Sequence, residues 1–122
     1  IWSAKDLSGN GIERTIHNAR LEGVAERVDV RTEDARHLSL ESESVDVVVS
    51  ALCFHNISDD QGRRAALNEV FRVLRPGGRA VIADLAGVDD YARWLTDAGC
   101  ATVVIAKAPD TFPPQRILTA TK

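Results

Sequence analysis

Residues 45–54, VDVVVSALCF, constrain this chain more than any other stretch. A near-continuous β-branched run is what a strand buried on both faces of a parallel sheet looks like. Parallel strands need a crossover between them, and the next segment provides one. Leu67, Val70, Phe71 and Leu74 fall on one face at helical spacing. Asp59 or Asp60 is placed to cap the start of that helix, and Pro76-Gly77-Gly78 to end it. RAVIADL, residues 79–85, then reads as the returning strand.

The alternation extends in both directions. GIERTIHNARLE, residues 11–22, places Ile12, Thr15, Ile16 and Ala19 at helical spacing, with Gly23 as a natural stop. RVDVRT, residues 27–32, reads as a short strand with Val28 and Val30 on one side. Downstream, DDYARWLTDAG is a helix closed by Gly99, with Tyr91 and Trp94 expected in the core. ATVVIAKA and QRILTATK are two last strands with no helix between them, so one of the pair is expected to run antiparallel. The fold class is therefore α/β, a mainly parallel sheet with an antiparallel strand at the C-terminal end.

Composition excludes several functions. The 122 residues are 44% hydrophobic and 27% charged, ordinary for a globular domain, and the net charge of −3 with no basic stripe disfavours nucleic acid. No apolar run reaches the ~20 residues of a membrane helix, so no membrane contact is expected from this segment. Cys53 and Cys100 are too few and too far apart for a disulfide framework; both read as buried, reduced thiols of a cytoplasmic protein. No His, Asp or Glu pair has ligand spacing near a strand end, so no metal is expected.

Open α/β sheets bind ligands outside the carboxyl ends of their strands. That rule selects Ile1 and Trp2, Glu33 to Ala35, Ser50 to Leu52, and Asp84 with Leu85.

At this point the order ED-A after a strand, VDVVVS, and VLRPGGR resembles the class I S-adenosylmethionine-dependent methyltransferases, over essentially the whole chain. The resemblance implies a Rossmann-like fold and S-adenosyl-L-methionine as cofactor. Asp34 would accept from the adenine amino group, the Ala35 amide would face a ring nitrogen, and Ile1 or Trp2 would lie against the adenine. Ser50, Ala51 and Leu52 would line the methyl-transfer site. His55 would stand within reach of an acceptor proton, and Asp84 would face the acceptor. The family's strand and glycine-rich turn are missing, so residues 1–122 are expected to be a partial domain lacking the first strand, that turn and most of the second strand. Such a piece alone would bind the cofactor weakly. In the family's strand order RVDVRT would stand apart from VDVVVS. Three resolutions are expected: residues upstream of Ile1, a second copy joining at the exposed sheet edge, or RVDVRT closing up beside VDVVVS. The expected activity is methyl transfer to a small-molecule acceptor in the intact protein, with residues 1–122 alone expected to be inactive. The alternatives are a non-catalytic Rossmann-like remnant or interaction module and, more weakly, a nicotinamide-dependent oxidoreductase, whose glycine fingerprint is also missing.

Overall fold

The computed structural model describes residues 11–122, which fall into two compact units divided between Asp34 and Ala35. In the first unit, α1 (Ile12–Leu21) ends as its glycine signal requires. Gly23 takes φ 65°, and the Gly23 and Val24 amides donate back to the carbonyls of Arg20 and Ala19. The segment that follows corrects where the expected strand begins. Arg27, read as its first residue, instead closes a single tight helical turn over residues 25–27.

The second unit is built on four strands: β1 (Val45–Ala51), β2 (Leu74–Asp84), β3 (Thr102–Ala108) and β4 (Gln115–Thr121), in spatial order β1-β2-β4-β3. β1 pairs parallel to β2, and β4 runs antiparallel between β2 and β3. Three strands thus share one direction and only β4 opposes them. That is the mainly parallel sheet with a C-terminal antiparallel strand read from the sequence.

Two helices, α2 (Asp60–Val73) and α3 (Val88–Ala98), supply the core over one face of this sheet. Asp59 caps α2, its side chain accepting from the Gly62 amide at 2.7 Å. Leu67 and Val70 of α2 meet Tyr91, Trp94 and Leu95 of α3 above Ala80, Ile82, Leu118 and Ala120 of the sheet. Leu74 is buried as expected, but as the first residue of β2 rather than as the last of a helical stripe. Gly99 closes α3 at φ 110°.

The other face of the sheet departs from expectation. Val47 and Val49 are 53% and 74% exposed, so β1 is not buried on both faces. Its composition records a strand suited to two-sided cover; α2 and α3 lie on the side of Val48 and Ile82 only. Cys53 is likewise exposed rather than buried, because it stands in the turn leaving β1, while Cys100 packs in the core.

Candidate functional site

The carboxyl ends of β1 and β2 lie side by side, Ser50 opposite Ile82 and Ala51 opposite Ala83. Past Ala51 the chain turns sharply. Leu52 takes φ 52°, a left-handed conformation uncommon for a leucine, and its amide donates to the Ala83 carbonyl at 2.9 Å. That turn reverses the chain over the end of β2 and leads through a short helical turn, Phe54–Asn56. Phe54 is buried in the core, which fixes the turn, and His55 follows it.

Asp84, the last residue of β2, is a fully buried carboxylate. Its partners explain how it is tolerated there. Oδ1 accepts from the His55 ring at Nδ1 through a short contact and from the Leu85 amide at 2.8 Å; Oδ2 accepts from the His55 amide at 3.1 Å. An ionised carboxylate only accepts, so Nδ1 carries a hydrogen, which in a neutral imidazole leaves the lone pair on Nε2. The His55 side chain is 27% exposed while Asp84 is sealed beneath it. A histidine whose Nδ1 is held by a buried carboxylate is an arrangement for taking or giving a proton at Nε2.

The other expected positions divide. Ser50 is half-buried, and Ala51 and Leu52 are exposed at the mouth of the β1 end. Ala35 packs against the core of the second unit. Asp34, half-buried, is the last residue of the first unit. Ile1 and Trp2 lie outside the described residues. Sequence reasoning placed His55 and Asp84 separately and missed that they bond each other. The signal was available: both stand at carboxyl ends of adjacent parallel strands, which brings residues 29 apart in sequence into contact.

The groups at the β1 and β2 ends include the Ser50 hydroxyl, the Ala51 and Leu52 backbone and the Asp84 carboxylate. A buried carboxylate beside polar and small groups suits a cofactor carrying a positive sulfonium. Leu52 and Leu85, each 40% exposed, add apolar surface beside it.

Fold and site together define a Rossmann-like α/β domain with its working groups at the carboxyl edge of a sheet. A sequence profile of the family described as Methyltransferase domain matches residues 3–82. The chain belongs to this family, within the class I S-adenosylmethionine-dependent methyltransferases. It is 33% identical over 98 residues to methyltransferase GfsG of Streptomyces halstedii, an alignment covering 78% of this chain and 34% of that protein. The chain thus spans about a third of that relative's length. Among solved structures it superposes on an O-methyltransferase of Nostoc punctiforme with TM-score 0.76 at 18% identity, covering 93% of this chain and 42% of that one. It also superposes on the 1,6-didemethyltoxoflavin N1-methyltransferase of Burkholderia thailandensis with TM-score 0.69 at 17% identity, over 87% and 56%. The latter was solved with 1,6-didemethyltoxoflavin and S-adenosylhomocysteine bound.

Proposed function

We propose that the protein transfers the methyl group of S-adenosyl-L-methionine to a small-molecule acceptor, and that His55 takes the acceptor's proton. The observation that carries this reading is the His55 ring held by buried Asp84 at the carboxyl ends of adjacent strands. When bound, the cofactor supplies an already activated methyl on a cationic sulfur. The chain's own residues then have three tasks. Asp34 and the Ala35 amide hold the adenine, with Ile1 or Trp2 against its ring; Ser50, Ala51 and Leu52 line the methionine end. Leu52 and Leu85 present apolar surface to the acceptor. His55, fixed by Asp84 in the Nδ1–H form, accepts the proton at Nε2 as the acceptor atom becomes methylated, and the Asp84 charge steadies the resulting imidazolium.

A small acceptor is favoured by the net charge of −3, which disfavours a polyanion, and by the small molecule bound to the Burkholderia protein. Two free cysteines fit a reducing cytoplasm, and among the described residues no helix is long and apolar enough to cross a membrane. The outer edge of β1 offers a route to self-association, which sedimentation of the full chain at increasing concentration would reveal.

The test separates binding from chemistry. His55→Ala should bind S-adenosylhomocysteine as the unmodified protein does while losing ~10²–10⁴-fold in turnover with a methylatable acceptor. Equal turnover in the two proteins would remove His55 from the reaction and leave it as a packing residue.

A further inference from the structure

One buried group has no role in the site as described so far. Tyr91, in the first turn of α3, is fully buried, and its hydroxyl has no hydrogen-bond partner among the described residues. Its ring is fixed on two sides, meeting Phe54 edge-on at 6.0 Å between centroids and Trp94 at 6.2 Å. The hydroxyl end is fixed by Gly87, where a Cβ would come within 2.9 Å of the phenol carbons and oxygen. Gly87 follows Asp84 by three residues, so the phenol oxygen is held against the turn that leaves the end of β2.

A phenylalanine would pack in the same space with no buried hydroxyl to satisfy. Burial, reinforced by the negative charge of Asp84, pushes the Tyr91 phenol up to about 12, so it keeps its proton and remains a donor. Meanwhile Asp84 has spare accepting capacity. A carboxylate presents about four lone-pair sites, and the contacts to His55 Nδ1, the His55 amide and the Leu85 amide fill three. A buried donor without an acceptor thus lies within the field of a buried acceptor with a site to spare.

We propose that Tyr91 is a positioning residue of the His55–Asp84 pair: its hydroxyl donates through one bridging water to the Asp84 carboxylate and moderates how strongly Asp84 holds the His55 ring. This deepens the methyl-transfer reading and rests on it for its purpose, though not for its geometry. A donor shared with Tyr91 leaves less negative charge on the oxygen facing His55, so the imidazolium is less favoured and Nε2 is free to act at lower pH. The other charged or titratable groups that Tyr91 feels are Arg63 of α2, Asp90 of α3 and Cys53 of the turn after β1. None of them is altered in the test.

Tyr91→Phe in the full chain keeps the ring and removes only the donor. Two readouts are expected to move. The downfield proton resonance of His55 Nδ1–H, recorded without any substrate, should shift further downfield as Asp84 becomes a stronger acceptor. The acid limb of the kcat/KM profile should move upward by about one pH unit, the scale of one hydrogen bond to a charged group. In an Asp84→Asn background the Tyr91→Phe substitution should change neither readout. An unmoved resonance, or an equal movement in the Asp84→Asn background, overturns the role given to Tyr91. Because the resonance needs no turnover, it tests Tyr91 even if His55→Ala shows the methyl-transfer reading to be wrong.

Discussion

Glu69→Gln should destabilise the protein in a way that depends on pH. Glu69 and Arg72 lie one turn apart on α2 and together clamp the connection that feeds β1. Oε1 of Glu69 accepts from Arg72 Nε at 2.7 Å, and Oε2 accepts from Arg72 Nη2 and from the Leu38 amide, both at 2.8 Å. Arg72 donates onward to the carbonyls of Leu38 at 3.1 Å and Leu40 at 2.9 Å, and to the Ser42 hydroxyl at 3.2 Å. The Arg72 hydrogen bond is the main reason the Glu69 carboxyl falls from an ordinary 4.5 to about 2. Taken whole, that difference corresponds to about 3.4 kcal/mol. Only 15% of the Glu69 side chain is exposed, but the arginine it pairs with is 34% exposed, so screening reduces this to about 2 kcal/mol. A folded-state value below the unfolded one stabilises the protein above pH 4.5, and the contribution disappears as pH falls from there through about 2. Urea denaturation followed by circular dichroism, at pH 7 and pH 3, should show Glu69→Gln about 2 kcal/mol less stable at the higher pH and less than half that at the lower. A gap of equal size at both pH values, or none at pH 7, would refute the reasoning.

Other substitutions address separate parts of the molecule. Asp34→Ala should weaken S-adenosylhomocysteine binding by about one to two orders of magnitude in calorimetry, as the loss of one specific contact; unaltered affinity would remove Asp34 from the adenine site. Gly87→Ala should cost at least ~1 kcal/mol in denaturation, since φ 76° and a Cβ within 2.9 Å of the Tyr91 ring act together. Asp59→Ala should cost about 1 kcal/mol by the same measurement, through loss of the Gly62 cap.

What the sequence by itself determined is whatever depends on neighbours along the chain. Asp59 caps α2 because its oxygen needs only the amide of Gly62, and Gly23 and Gly99 end their helices because only a residue without Cβ adopts positive φ cheaply. The strands VDVVVS, RAVIAD, ATVVIAKA and QRILTAT were legible from composition and length. The strand ends also marked where functional groups should stand, which is why His55 and Asp84 were both in view. What only the tertiary structure decided concerns partners distant in sequence. RVDVRT alternates like a strand from its first residue, yet Arg27 belongs to a tight helical turn, because local pattern does not fix where pairing starts. Val47 and Val49 have the composition of buried residues, yet exposure depends on what lies over a sheet rather than on the strand itself. The bond between His55 and Asp84 needed two chain segments brought side by side by the β1–β2 register. Tyr91 reads as core in both descriptions; only three-dimensional packing shows that its hydroxyl is buried without a partner near Asp84, because hydrogen-bond satisfaction is a geometric property that no local pattern encodes.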